Sequence, residues 1–466
     1  KKMWKPLTIV VFLTYILTCC FIISYEPLTN RIFRPLPAIS TSVVTLDNSN
    51  NSAMIIFASY YYYKPDDIVG LQIIGFSYCR NADEKVELLV ANQSFRVRSD
   101  ILNSGCPTED SISCFWLDYA MYTEIPASLK RSSMVQIVQN GQTTPLRVVE
   151  SASVKKRLSG LEACVAPLYY YNHWIRVIEF MEIYRQQGVS HVYVYVSSVS
   201  RLVYDMLKVY QSKRLLTIVE WPELPRIDNT TDYVFRLGQN TAIMDCVRRS
   251  KSKFVAIVDL DDYIVVRNET LLDFVTREEQ RNTNISAFTF EMSLVHQDPR
   301  NGSLNNWQGV SFDGLEKGVP QRDQSSTKPI VVPDKLYGVS PHTVYRQWKI
   351  PGSDSEYQIL QVKRTVGRAY HARYAYAAYH DTKIANIRKK IPLFPNGYID
   401  NLKSNYTKIM RQFSQTHPDL TTPAIADIME QCNEFKWGFC QMPYVNCRDA
   451  MKDVDDWFFF TDASVI

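Results

Sequence analysis

The stretch Phe254–Tyr263, FVAIVDLDDY, drives five apolar residues straight into three carboxylates, Asp259, Asp261 and Asp262. An apolar run of that length, rich in β-branched side chains, fits a strand covered on both faces, as parallel strands are. Upstream, EACVAPLYY (162–170), SHVYVYVSS (190–198) and LLTIVEW (215–221) read as strands of the same kind. Between them, HWIRVIEFMEIYRQQG (173–188), RLVYDMLKVYQSKR (201–214) and YVFRLGQNTAIMDCVRRSKS (233–252) carry helical spacing. Strands alternating with helices predict βαβ units and a parallel sheet. Ligands of such sheets bind outside the carboxyl ends of the strands, which is where the three aspartates fall. Downstream, TLLDFVTREEQR (270–281) predicts a helix and ISAFTFEMSLVH (285–296) a strand. Residues 297–330 read as a long polar loop, the kind that shapes substrate choice.

Three carboxylates so close repel one another, and a bound cation relieves that repulsion. Oxygen ligands favour Mg²⁺, Mn²⁺ or Ca²⁺ over Zn²⁺. An EF-hand is excluded, because Ile264 and Thr270 stand where its Gly and Glu would be required. A Mg²⁺-type site with few protein ligands commonly also holds substrate phosphates, which points to a diphosphate-linked donor such as a nucleotide sugar.

The N-terminus sets the compartment. Leu7–Ser24 is uncharged and is preceded by Lys1, Lys2 and Lys5. It is long enough to cross a bilayer, with the lysines on the cytoplasmic side. A cleaved signal peptide is the alternative, but the run is long for one and no small-x-small cleavage site follows. The expected organisation is a tail (1–6), a transmembrane signal anchor (7–24), a stem (25–52), an antiparallel β-rich domain (53–158), a catalytic domain (159–400) and a cysteine-containing C-terminal segment (401–466). Asn140-Gly141 supplies a hairpin turn in the β-rich part. Seven N-x-[ST] sequons, at Asn50, Asn92, Asn229, Asn268, Asn284, Asn301 and Asn405, all follow the anchor. Of the ten cysteines, eight also follow it, an even number suited to disulfides whose pairing is not readable from spacing.

Other classes recede. The net charge of +4 and the absence of a basic stripe argue against a nucleic-acid partner. Only 16 glycines are present and no Gly-rich phosphate loop; HExxH and GxSxG are also missing.

From about 161 to 390 the chain resembles glycosyltransferase family 92. The matching stretches are CVAPLYYY (164–171), EFMEIYRQQGVSHVYVYVSS (179–198), QNTAIMDCVRRSKSKFVAIVDLDDYIV (239–265), KPIVVPDKLYGVSPHTV (328–344) and AYHARY (369–374). The resemblance implies a GT-A-like (Rossmann-like) α/β domain and an inverting, Golgi-anchored transferase dependent on Mn²⁺ or Mg²⁺. It implies galactose from UDP-galactose as donor sugar, and a glycan or glycoprotein acceptor such as fucose on N-glycans. Asp259 and Asp261 then correspond to the DxD ligands of metal and diphosphate. Asp262 stands where the family usually has Glu, and His371-Ala372-Arg373 replaces a usual His-Tyr-Arg.

GT-A enzymes often use a late histidine as a metal ligand. His371 and His342 are the two candidates, and a hydrogen-bonded histidine without metal is the bland reading of each. Arg373 could grip the diphosphate through bidentate contacts, or form a surface salt bridge. Asp245 matches a family position beside the nucleotide pocket; its plain alternative is an i,i+4 pair with Arg249. Glu291, Asp298 and Asp313 are open as general base, with nothing to select among them, and Trp307 offers a sugar-stacking face or a core contact. A two-carboxylate glycoside hydrolase and a non-catalytic glycan-binding protein are the competing functions.

Overall fold

The computed structural model describes residues 54–66, 68–78, 86–102, 116–126, 128–129, 132–139, 141–221, 234–297, 307–318, 320–374, 390–423, 425, 428 and 449–460. The expected anchor and stem lie outside the described residues. Among the described residues, no helix is long and apolar enough to cross a membrane.

The central sheet has nine strands: β1 (Leu158–Leu168), β2 (Val189–Val196), β3 (Leu216–Glu220), β4 (Ser252–Val258), β5 (Asp262–Val266), β6 (Ile285–Gln297), β7 (Gln321–Val331), β8 (Gln358–Val362) and β9 (Gly367–Tyr374). Helices α1 (Trp174–Gln186), α2 (Arg201–Ser212), α3 (Gln239–Arg249) and α4 (Leu271–Arg281) separate the early strands, and α5 (Tyr398–Thr416) follows the last. The sheet order is β3-β2-β1-β4-β7-β6-β9-β5, with β8 also paired to β6. β3, β2, β1 and β4 are all parallel. β7 is antiparallel to both β4 and β6, and β5 is antiparallel to β9. The sheet is therefore mixed. Its parallel half follows the expected βαβ rhythm, and the order of strand addition reverses at β1, with β2 on one side and β4 on the other, so the carboxyl ends of β1 and β4 flank the switch-point crevice.

Two local expectations need correction. First, β7 occupies part of what the sequence presented as a polar loop. It pairs along β6 and, at Ile330 and Val331, with β4, and Lys328 within it is fully buried. The residues after the aspartates, to which the sequence assigned no element, form β5, which starts at Asp262 itself. Second, α3 starts at Gln239 rather than near Tyr233. Arg236, Leu237 and Gly238 all have positive φ, and left-handed residues cannot continue a right-handed helix. At Gly238 a Cβ would meet the Phe76 ring at 2.5 Å, so no larger residue fits.

The β-rich part holds two sheets. One pairs, in order, Arg98–Ile101, Trp116–Ile125, Val69–Tyr78, Met54–Tyr63 and Val149–Glu150; the other pairs Gln93–Arg96, Glu87–Val90, Met134–Gln139 and Gln142–Arg147. The hairpin expected at 140–141 joins the last two strands, with Gly141 at φ 77°. Ile56, Leu71, Ile73, Leu88, Ile137 and Leu146 lie in one apolar cluster shared by the two sheets. The five-stranded sheet also binds α3. Asp118 Oδ1 accepts from Thr241 N (2.9 Å) and Thr241 Oγ1 (2.6 Å), and Arg248 Nε donates to Gln72 Oε1 (2.6 Å). These contacts explain why α3 is buried along almost its whole length despite Thr241, Asp245, Arg248 and Arg249. A disulfide joins Cys164 of β1 to Cys246 of α3.

Candidate metal and donor site

Asp259, Asp261 and Asp262 follow β4 at the switch-point crevice, as their position in the sequence required. A tight turn shapes them: Asp262 N donates to Asp259 O (3.0 Å), and Asp259 N donates back to Asp262 Oδ2 (3.1 Å). β5 then runs antiparallel to β9 with Asp262 opposite His371. The backbones are pinned further by Ala372 N donating to Asp261 O at 2.8 Å, and by Tyr184 Oη donating to Asp262 O at 3.0 Å. From α1, the buried Arg176 donates through Nη2 to Ala372 O at 3.0 Å, bracing the strand that carries His371.

The four side chains divide into two roles. Asp262 is fully buried, and its Oδ1 lies 2.7 Å from His371 Nδ1 while its Oδ2 lies 2.6 Å from Lys328 Nζ. Burial works against its ionisation, but the Lys328 ammonium and the His371 hydrogen bond outweigh burial and hold its carboxyl well below the usual range. An ionised Asp262 accepts the proton of His371 Nδ1 and turns Nε2 towards Asp261, the arrangement that orients metal-ligating histidines. Asp261 Oδ2 lies 3.6 Å from that Nε2, and the Asp261 side chain is 32% exposed. Burial raises the Asp261 carboxyl above its ordinary value; His371 opposes this, and the neighbouring Asp262 and Asp259 add to it. Donor atoms on one small divalent ion lie roughly 3 Å apart, so Asp261 and His371 face each other at a separation that fits one ion. Two carboxylates and an imidazole also suit Mn²⁺ or Mg²⁺ chemically. Asp261, Asp262 and His371 together offer ligand atoms within 4.8 Å of one another.

Asp259 has a different neighbour. Its Oδ2 lies 2.7 Å from Lys328 Nζ, and its side chain is 36% exposed. Lys328 is thus a member of the site that sequence reasoning missed. It opens the quoted stretch KPIVVPDK, but only the strand register shows it opposite Phe290 on β6 and beside the aspartates. Burial works to lower its pKa, and Asp259 and Asp262 outweigh burial to keep the ammonium charged.

The other candidates disperse. His342 Nδ1 lies 3.1 Å from Thr327 O, and burial lowers its pKa, assisted by Lys328. It flanks Lys328 through Thr327 and is outside the Asp261–Asp262–His371 cluster. Asp245 is fully buried at the junction with the β-rich part, where Tyr60, Tyr195 and Arg249 all donate to its carboxylate. The Arg249 pair is the i,i+4 contact its spacing allowed, made inside the protein instead of on a wet helix face. Arg373 lies on β9, two residues beyond His371, and its side chain is outside the described residues. Of the general-base candidates, Glu291 is half-buried on β6, Asp313 opens a short helix (Asp313–Glu316), and Asp298 lies outside the described residues. Trp307 is half-buried and packs against Tyr406 of α5, whose Oη donates to Trp307 O at 2.9 Å.

The family model described as "Glycosyltransferase family 92" matches residues 159–410, more than half of the 466 residues. Two Caenorhabditis elegans proteins are similar. Glycosyltransferase family 92 protein F13G3.3 is 25% identical over 266 residues, covering 54% of this chain and 50% of that protein. Glycosyltransferase family 92 protein F59C6.8 is 24% identical over 171 residues, covering 33% and 30%. The chain therefore spans about half the length, or less, of these curated relatives. Among solved structures, S. aureus TarS 1-349 in complex with UDP-GlcNAc shares 14% identity at a TM-score of 0.26, covering 55% of this chain and 74% of that one. A TM-score of that size does not define a common fold.

Proposed function

The chain belongs to glycosyltransferase family 92, and from that premise we propose that it is a metal-dependent, inverting hexosyltransferase with a GT-A-like donor domain. The donor is UDP-galactose, and the acceptor is a glycan such as fucose on an N-glycan. The enzyme works in the Golgi lumen as a single-pass type II membrane protein. The observation that carries the chemical part is the placement of Asp261 Oδ2 against His371 Nε2 at the carboxyl end of β4. The Cys164–Cys246 disulfide supports the lumenal part, since such bonds persist in oxidising compartments.

In the proposed reaction an acceptor hydroxyl attacks the anomeric carbon from the face opposite the diphosphate. The carbon–oxygen bond to the diphosphate breaks, its electron pair leaves with UDP, and the hydroxyl proton passes to a base. A bound divalent ion neutralises the charge that builds on the departing diphosphate. Asp261 and His371 would hold that ion, Asp262 orients His371, and Lys328 fixes Asp259 and Asp262.

The test uses residues 53–466 secreted from animal cells, a panel of sugar nucleotides and free glycans, and Mn²⁺ or chelator. The expected result is UDP release from UDP-galactose that needs both Mn²⁺ and a fucosylated acceptor, and that Asp261→Asn loses. Transfer that is indifferent to chelator, or intact in Asp261→Asn, would overturn the reading.

A further inference from the structure

We infer that Arg267, Arg364 and Arg368 form an oxyanion site that takes the sulfate or phosphate ester of a sugar, separate from the metal and donor site. The strand register brings the three together. Arg368 lies on β9 opposite Val265 of β5, and Arg267 N extends that ladder by donating to Val366 O at 3.0 Å. Side chains two apart on a strand, and those directly opposite, share a face, so Arg267, Arg368 and Tyr370 project from the same side. The Arg368 guanidinium lies 5.9 Å from the centre of the Tyr370 ring. Tyr370 is paired in turn with Ser293 of β6, whose Oγ accepts from Arg364 Nη2 at 3.0 Å. Arg368 Nη2 donates to Arg364 O at 3.3 Å. β5 is the edge strand of the sheet; Arg267, just beyond it, is exposed, and Arg364 and Arg368 are half-buried. His371 belongs to the opposite face and lies three residues further along β9, roughly 10 Å at the usual strand rise.

The charge of this cluster is not balanced from within. Among the described residues, none of the three guanidiniums forms an ion pair with a carboxylate. Glu291, two residues before Ser293 on β6, acts on Arg368 from beyond ion-pair distance. Burial lowers the Arg368 pKa, and Arg364 and Arg267 lower it further against Tyr370 and Glu291. Like charges held this close repel one another, and a bound anion relieves that repulsion. A guanidinium carries five N–H donors. Arg364 and Arg368 each spend one on a protein acceptor, which fixes the side chain and leaves the rest of its fork to a ligand. Planar forks of this kind match the paired oxygens of a tetrahedral oxyanion. A member of a glycosyltransferase family handles sugars, so the oxyanion is one esterified to a sugar. Sulfate and phosphate esters present the same tetrahedral oxygens. The inference needs neither the metal nor the donor.

The test reads the thermal midpoint of the full chain in the presence of chelator, at constant ionic strength set with sodium chloride. Galactose 6-sulfate, galactose 6-phosphate or galactose is added. One or both esters are expected to raise the wild-type midpoint by mass action, and free galactose to leave it unchanged. A larger rise with one ester identifies the sulfated or the phosphorylated sugar as the better ligand, and equal rises show that the site takes both. Arg267→Gln, Arg364→Gln and Arg368→Gln are each expected to need about tenfold more ester for the same rise, the loss of one charge-assisted contact. Arg368→Lys keeps the charge without the fork and is expected to fall between wild type and Arg368→Gln. Arg267 is exposed, so Arg267→Gln leaves the core intact and decides alone if neither of the other two Gln variants folds. A midpoint that no ester raises overturns the inference, as does a rise left intact in the folded arginine variants. A rise lost in Asp261→Asn and kept in the arginine variants would put the ester in the donor crevice and also overturn it.

Discussion

Asp262 and His371 face each other across the β5–β9 ladder, Oδ1 to Nδ1 at 2.7 Å, with the carboxylate fully buried and the imidazole partly open. Through this contact a residue that need not touch an ion can govern one that would. The pair also explains why the third aspartate of the DLDD run sits in a strand rather than in the loop: its backbone belongs to the ladder, and its side chain points at a neighbour in register.

The first prediction concerns His371. Replacing it with Asn removes Nε2 from the site while keeping a polar group near Asp262. Mn²⁺ affinity should fall about 10- to 100-fold, the range seen when the supporting geometry of a metal site is lost. The thermal midpoint should change little, because the ring is at the edge of the core. Calorimetric titration checks the first and differential scanning calorimetry the second. Unchanged Mn²⁺ affinity would remove His371 from the site.

A second prediction follows from Asp118, buried where the β-rich part meets α3. Burial raises its pKa from 3.8 to about 6, partly opposed by the hydrogen bonds from Thr241. The native state therefore holds this proton more tightly than the unfolded chain does. The stability that protonation confers is full below about pH 4 and is lost as pH rises through 6. In Asp118→Asn this part of the pH dependence should vanish, and the variant should gain stability relative to wild type at pH 7 compared with pH 4. Melting curves at both pH values test it. A wild-type minus variant difference that is constant across that range would count against a raised Asp118.

Local and non-local signals divided what could be read in advance. The FVAIV strand and its acidic end were legible because a continuous apolar run and a carboxylate cluster are both written in adjacent residues. The helices α1, α2 and α4 were legible from periodicity for the same reason. β7 was not, because its burial comes from partners far along the chain. Lys328 looks like a surface residue until register brings it to Asp259 and Asp262. Asp245, which the family resemblance set beside the nucleotide pocket, is enclosed by groups that include Tyr60, more than a hundred residues earlier and invisible to local spacing. The Cys164–Cys246 pairing was beyond reach for a combinatorial reason, since eight cysteines allow on the order of a hundred connectivities.

That disulfide carries a third prediction. It ties β1 to α3 across 82 residues of sequence. On the chain-entropy view, closing a loop of that size stabilises the fold by roughly 4 kcal/mol, an upper figure for real proteins. Cys164→Ala with Cys246→Ala should lower the thermal midpoint by several degrees. Reductant should lower it in wild type and leave the double variant unaffected by the loss of this bond. Non-reducing peptide mapping should recover Cys164 linked to Cys246; finding either cysteine joined elsewhere would refute the pairing.

The last prediction sorts the sequons by what their side-chain amides are doing. N-glycosylation joins the sugar to Asn Nδ2, so a sequon whose Nδ2 is committed inside the fold is incompatible with a glycan. Asn92 sits at the tip of the hairpin between Glu87–Val90 and Gln93–Arg96, exposed, with φ 64°. Asn268 is likewise exposed, with φ 66°, in the turn between β5 and α4. Asn405 is half-buried on α5, and its Nδ2 donates to Glu182 Oε2 at 2.8 Å; Glu182 is itself buried and accepts from Tyr210 Oη at 3.0 Å. Protein secreted from animal cells should therefore carry glycans at Asn92 and Asn268 and none at Asn405. Enzymatic deglycosylation in heavy-oxygen water, followed by peptide mass spectrometry, marks each occupied asparagine. A marked Asn405 in folded protein would show that the α5–α1 contact is not made as described, and an unglycosylated chain would remove the lumenal assignment along with it.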